Sequence, residues 1–221
     1  MPILQIPVGP LQANCYVVAD DQGRCLIIDP GMDASEPVGA VVADRGLVPV
    51  AVLATHGHID HIGDAQEIAD GYGIPLHIHS ADRHLLSDPA AGLLPEMGDW
   101  IGAYYPEGLH EPERVELLDE WGTLVIAGLS FRVIPTPGHT EGSVTFVLKT
   151  PDDSIVFTGD TLFAGSVGRT DMPGGDWDTL ESSLKVLVGE LPDDALILPG
   201  HGPTSIMGDE KRANPYVRGL V

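Results

Sequence analysis

The chain has 221 residues, 43% of them hydrophobic, with 27 glycines and 19 prolines, enough for one large domain with a substantial core and many tight connections. Acidic residues outnumber basic ones 33 to 11, a formal charge of -22, which argues against a nucleic-acid partner because phosphate binding needs a basic face. No apolar run reaches the roughly 18 residues of a membrane span, and the start, Met1-Pro2-Ile3-Leu4-Gln5-Ile6-Pro7, lacks the pattern of a signal peptide. A cytoplasmic protein with no membrane partner is expected.

Residues 3–8, 12–19 and 24–28 read as short strands separated by turn residues. Cys15 and Cys25 lie within them and read as buried free thiols, not as a disulfide or a thiolate metal site. The third strand runs into Asp29-Pro30-Gly31, where Asp29 either caps the turn or partners a metal-bound imidazole. A helix is expected over 35–45, with Ser35 as N-cap and Gly46 as its stop. The apolar strand 49–54 then delivers the chain to Thr55-His56-Gly57-His58-Ile59-Asp60-His61. A helix over 60–70 and a strand over 75–79 follow, in which His77 and His79 read as strand residues rather than ligands.

Residues 80–112 are irregular, broken by Pro89, Pro95, Pro106 and Pro112. Their apolar and aromatic side chains (Leu93, Leu94, Met97, Trp100, Ile101, Tyr104 and Tyr105) either pack locally, the preferred reading, or wall a pocket. Strands resume at 115–118, 123–127, 129–135, 143–148 and 154–158, followed by a helix over 177–189 and a strand over 195–198. No repeat, low-complexity tract or linker interrupts the chain, so residues 1–221 are expected to form a single domain.

The segment from His56 to His61 packs four ligand-type side chains into six residues directly after a buried strand. Imidazole and carboxylate together suit zinc, iron and manganese. Three later segments repeat the device of an apolar strand, a small-residue turn and one ligand-type residue. They end in Gly138-His139-Thr140, Gly159-Asp160-Thr161 and Gly200-His201-Gly202. A lone His or Asp after a strand is usually a turn residue; four such strand ends in one chain point to a shared metal centre.

The order His-x-His-x-Asp-His, Gly-His-Thr, Gly-Asp, Gly-His resembles the metallo-β-lactamase superfamily, from the Asp29 turn to His201. The resemblance implies an αββα four-layer sandwich of the α+β class, with two mixed sheets face to face and helices outside. It further implies two divalent metal ions, zinc first, with iron and manganese also suited. One metal would be held by His56, His58 and His139, the other by Asp60, His61 and His201. Asp160 would bridge them, and Asp29 would orient a ligand histidine. The common zinc β-lactamases have a cysteine at the position of Asp160, which disfavours antibiotic hydrolysis.

Within the superfamily the stretch Asp160-Thr161-Leu162-Phe163-Ala164-Gly165-Ser166-Val167-Gly168-Arg169-Thr170-Asp171 is similar to the glyoxalase II-like (hydroxyacylglutathione hydrolase-like) group. Asn14-Cys15-Tyr16 and Asn214-Pro215-Tyr216 are similar to its short bacterial members. The implied activity is metal-dependent hydrolysis of an S-lactoyl or related 2-hydroxyacyl thioester, with Asp60 as the catalytic carboxylate aiming the attacking water. Arg169, Phe163, Tyr104 and Tyr105 are the expected substrate contacts, Arg169 alternatively pairing with Asp171. Only about twenty residues follow His201, so the helical C-terminal domain of full-length glyoxalase II enzymes is not expected, and the thiol carrier stays open between glutathione, mycothiol or another. The rival readings are a mononuclear iron persulfide dioxygenase using His58, His139 and Asp160, a lactonase, and a non-catalytic metal-binding protein. Oligomeric state is not legible.

Overall fold

The computed structural model describes residues 1–118, 122–150 and 154–220. The first half builds a sheet of six strands, β1 (Ile3–Val8), β2 (Ala13–Ala19), β3 (Arg24–Ile28), β4 (Val48–Leu53), β5 (Leu76–Ile78) and β6 (Val115–Leu117), hydrogen-bonded in sequence order. The β1–β2 and β2–β3 pairs are antiparallel; β3 to β6 run parallel. The later strands are β7 (Gly122–Ile126), β8 (Leu129–Pro135), β9 (Val144–Lys149), β10 (Ser154–Gly159), β11 (Leu162–Phe163), β12 (Ser166–Val167), β13 (Leu196–Pro199) and β14 (Ser205–Ile206). Six of them form the second sheet in the order β14-β13-β10-β9-β8-β7, while β11 and β12 pair as a separate small ribbon.

The helices are α1 (Ser35–Arg45), α2 (Ile59–Ile62), α3 (Ala65–Tyr72), α4 (Gly98–Tyr104), α5 (Trp177–Glu190) and α6 (Met207–Ala213). Alternation along each strand sorts the side chains into layers. Tyr16, Val18, Leu26, Ile28 and Leu53 of the first sheet meet Phe131, Val133, Phe146, Leu148 and Phe157 of the second. The opposite face of the first sheet, with Cys15, Val17, Cys25, Ile27 and Val52, packs on Val38 and Val42 of α1 and Ile68 of α3. Beyond the second sheet, Ile134, Val147, Val156 and Ile197 pack on Leu180, Leu184 and Leu187 of α5. The result is the expected αββα sandwich. Cys15 and Cys25 are free and buried.

Two local expectations need correction. The helix expected over 60–70 is two helices, α2 and α3, because the chain breaks at Asp64. The N–H of Asp64 bonds Pro30 O at 3.1 Å, and its carboxylate accepts the Ser35 N–H at 2.8 Å. Ser35 is therefore the first residue of α1, not its cap; Ala34 takes the N-cap position without a side-chain bond, and the carboxylate comes from a different segment. Gly46 ends α1 as expected, in the left-handed conformation. Among the described residues no helix is long and apolar enough to cross a membrane.

Phe157 is 1% exposed and sits between the sheets in edge contact with Tyr16, ring centroids 5.3 Å apart. Phe157→Ala should destabilise the protein by about 3–5 kcal/mol, whereas Val125→Ala, at a position 66% exposed, should stay within about 0.5 kcal/mol. Chemical denaturation monitored by circular dichroism checks both.

Candidate metal centre

Strand direction places the ligands. β3 and β4 are parallel neighbours, so Asp29 and the Thr55–His61 segment leave the first sheet at the same edge. In the second sheet β10 and β13 are parallel, and β8 is antiparallel to β9, which is antiparallel to β10, so all three deliver their C-terminal ends together. Those ends carry His139, Asp160 and His201. Open α/β sheets put their sites outside such edges.

At that edge His56, His58 and His139 form one buried group, and Asp60, His61 and His201 a second, with the ligand atoms of each within 4.8 Å of one another. His58 Nδ1 lies 2.8 Å from His139 Nε2, and His61 Nε2 lies 3.4 Å from His201 Nε2. Asp60 Oδ2 is 3.1 Å from His201 Nε2. Asp160 sits between the groups. Its Oδ2 is 3.5 Å from both His139 Nε2 and His201 Nε2, and its Oδ1 is 3.3 Å from His61 Nε2.

The outward nitrogens are tied down, which fixes the tautomers. His139 Nδ1–H donates to the Arg169 carbonyl at 2.7 Å. His61 Nδ1–H donates to Asp29 Oδ2 at 3.0 Å. The Thr55 hydroxyl donates to Asp29 Oδ2 at 2.6 Å, so its oxygen is left to accept from His56 Nδ1–H at 3.1 Å. Each of these three imidazoles therefore turns its Nε2 into the cluster. Asp29 holds a left-handed φ of 51° and also accepts the Thr55 N–H at 2.7 Å; it does orient a cluster histidine.

The electrostatics divide in the same way. Burial pushes the His56 imidazole well below the usual histidine range, helped by the neighbouring rings of His61 and His139. Burial and His139 push His58 down to about 4. Burial opposes charge on the others too, but there the partners win. Asp160 and Asp60 raise His61, and the hydrogen bond that Asp60 accepts raises His201. His61 in turn holds the carboxyls of Asp60 and Asp160 below their usual range. His56 and His58 are thus favoured in the neutral form that ligates a cation, and the carboxylates in the ionised form, while the pull of Asp60 and Asp160 on a proton at His61 and His201 is one that a bound cation would replace.

The donor set passes a fit test for divalent metal. His56 Nε2 and Asp160 Oδ1 are buried at the cluster without a hydrogen-bond partner, and each such orphan costs about 1–3 kcal/mol unless something satisfies it. Nitrogen and carboxylate oxygen donors suit zinc, iron or manganese. The backbone makes room as well. A Cβ at Gly200 would stand 2.1 Å from Asp160 Oδ1 and 2.7 Å from the His61 ring, so only glycine lets the His201 turn approach the cluster this closely.

The cluster floors a cavity of about 420 Å³. Phe163 and Arg169 line it as expected. Arg169 also forms the alternative ion pair, its Nε and Nη2 reaching Asp171 Oδ1 and Oδ2 at 2.6 and 2.8 Å. Tyr104 and Tyr105 are not among the lining residues. Tyr104 donates to Asp33, and the Tyr105 hydroxyl packs over Gly63, because α4 turns both rings towards the Asp33–Asp64 side. Leu93, Met97 and Trp100 from the 80–112 segment do wall the cavity, while Ile101 packs on Met32 and Ile59, so that segment does both jobs where local packing alone was preferred. His77 is buried at the end of the β4–β5 pairing and His79 accepts the Ala81 N–H at 3.3 Å; neither joins the cluster.

Sequence reasoning missed Asp82. It is 1% exposed, and its carboxylate accepts the N–H of Gly57 at 2.8 Å, the N–H of Gly142 at 2.8 Å and the Thr140 hydroxyl at 2.7 Å. It thereby ties the His56–His58 loop to the His139 loop. Gly142 admits it: a Cβ there would lie 2.5 Å from Asp82 Cγ. No local signal marks Asp82, since its partners are 25 to 60 residues away in sequence. Asn14 and Tyr16 were visible as a motif without a role. Asn14 Nδ2 donates to Pro199 O and Gly202 O at 2.9 and 3.0 Å, and Tyr16 O–H donates to Pro199 O at 2.7 Å, which holds the His201 turn. Asp82→Ala should weaken metal binding at least about tenfold, as loss of outer partners does in metal sites. Competition with a chromophoric chelator, well below the melting temperature, measures it.

A family profile described as the metallo-beta-lactamase superfamily matches residues 8–201. An uncharacterized protein of Mycobacterium tuberculosis is 44% identical over 228 residues, covering 100% of this chain and 99% of its own. The hydroxyacylglutathione hydrolase GloC of Haemophilus influenzae is 34% identical, covering 96% of each chain. Among solved structures, one described as the BLEG-1 B3 metallo-beta-lactamase superposes with a TM-score of 0.84 at 36% identity, covering 98% of this chain and 99% of that one. Another, TTHA1623 in a di-iron-bound form, has a TM-score of 0.78 at 36% identity, with 96% and 99% covered. With this profile match, these relatives and its own sandwich, the chain belongs to the metallo-β-lactamase superfamily.

Proposed function

We propose that this chain is a dinuclear metal-dependent hydrolase that cleaves an S-lactoyl or related 2-hydroxyacyl thioester of a low-molecular-weight thiol to free acid and thiol. The observation that carries the reading is Asp160, one carboxylate facing nitrogens of both donor groups at 3.3–3.5 Å. Asp160 thereby adjoins both donor groups, His139 in one and His61 and His201 in the other.

When bound, two divalent cations supply Lewis acidity and bring the pKa of water towards about 7. His56, His58 and His139 would hold one of them, and Asp60, His61 and His201 the other, with Asp160 shared. Asp60 lines the cavity, and its ionised carboxylate is placed to accept a hydrogen bond from the attacking water and aim it. Water adds to the thioester carbonyl carbon, the C–S bond breaks, and the sulfur takes up a proton as the thiol departs. The apolar wall keeps bulk water from the reacting carbonyl, so fixed charges act at low dielectric. A small-molecule substrate suits a cavity of about 420 Å³, and a net charge of -22 disfavours a nuclease. The name of the Haemophilus relative supports thioester hydrolysis.

The test is S-lactoyl thioester hydrolysis by metal-loaded protein, with a β-lactam and an oxygen-uptake assay with a persulfide in parallel. Asp160→Ala and His58→Ala should each lose metal and at least about 100-fold in kcat/KM, more than an outer partner costs. Near-normal hydrolysis by metal-depleted Asp160→Ala protein, or turnover of the β-lactam or persulfide instead of the thioester, overturns the reading.

A further inference from the structure

The cavity has a charged floor and an uncharged wall. Above the His/Asp cluster the lining comes from Leu93, Met97 and Trp100 on one side and Phe163, Val167 and Met172 on the other. Apart from the cluster histidines, Arg169 is the basic side chain among the described lining residues. Its guanidinium is already engaged by the Asp171 carboxylate through two hydrogen bonds of 2.6 and 2.8 Å. A two-point pair of this kind uses the fork that would otherwise grip a ligand carboxylate.

A carrier carboxylate lying along the wall, away from the metal-binding floor, gives up its hydration against apolar side chains and meets no unpaired basic side chain among the described lining residues. It also approaches a chain of net charge -22, whose field slows like-charged ligands. An uncharged carrier meets neither obstacle and gains from burial against Trp100 and Phe163.

We infer that the thiol carrier of the substrate is uncharged, a low-molecular-weight thiol without carboxylates, and that the Arg169–Asp171 pair at the cavity sets this preference. This rests on the thioesterase reading above and names its substrate class more narrowly. Arg169 thus has two jobs: its carbonyl holds His139, while its neutralised guanidinium offers anionic thiols no purchase.

The experiment compares two matched carriers under one acyl group, the S-lactoyl thioesters of N-acetylglutathione and of its dimethyl ester. They differ only in two carboxylates. The metal-loaded enzyme should show kcat/KM at least about tenfold higher for the uncharged ester, mostly through KM, and added salt should narrow the gap by screening. Asp171→Asn, which frees the guanidinium, should shift the ratio of the two rates about two- to fivefold towards the anionic carrier. Equal or better hydrolysis of the anionic thioester, or a ratio unmoved by Asp171→Asn, overturns the inference and leaves thioester hydrolysis standing. Hydrolysis of neither removes the thioester reading and this inference with it.

Discussion

Everything in this molecule is arranged around a set of electron pairs that face one another. Imidazole nitrogens and carboxylate oxygens from four strand ends converge to separations of 2.8–3.7 Å. Lone pairs at that distance repel unless a proton or a cation lies between them. The protein supplies part of the compensation itself, since burial opposes a proton on His61 but Asp160 and Asp60 raise its affinity for one. His56 and His58 are instead pushed towards the neutral form by burial and by neighbouring rings, His61 and His139 for the first and His139 for the second. The remaining demand is for divalent cations, and the buried orphan atoms of His56 and Asp160 mark where it is felt.

Holding such a cluster together is a task for the fold, because no local segment does it alone. Parallel strand directions within each sheet bring the ends to one edge. The tightly packed layer between the sheets then fixes the two edges relative to each other. A second tier of bonds sets the loops: Asp29 and Thr55 behind His56 and His61, the Arg169 carbonyl behind His139, and Asp82 between the two histidine loops. Glu210 and Asn214 on α6 do the same for the cavity wall. Glu210 accepts the Gly165 N–H at 2.9 Å, and Asn214 donates to the Ser166 carbonyl at 3.0 Å. The Asn214-Pro215-Tyr216 motif thus braces the ribbon that carries Phe163 and Val167.

Much of this was legible in the sequence because the signals are local. Alternating apolar residues placed β1 to β4 and β8 to β10 within a residue or two. The density of ligand-type residues from His56 to His61 and a ligand-type residue after a strand and a glycine turn at His139, Asp160 and His201 picked out the seven residues that cluster. The parts that escaped depend on contacts across the fold. The break between α2 and α3 answers to Pro30 and Ser35, which are near Asp64 only in space. Asp82 carries no motif, yet both histidine loops hang from it. Tyr104 and Tyr105 have the right chemistry for a pocket, and only the orientation of α4 shows that their hydroxyls turn elsewhere.

Two donor groups sharing Asp160 are the basis of the functional account, so the number of ions held is its most direct test. Metal content of the purified chain, measured by elemental mass spectrometry against protein concentration after reconstitution and removal of loosely bound ions, should give two divalent ions per chain. A reproducible value of one would contradict the dinuclear centre, and a value of zero would contradict a metal centre altogether.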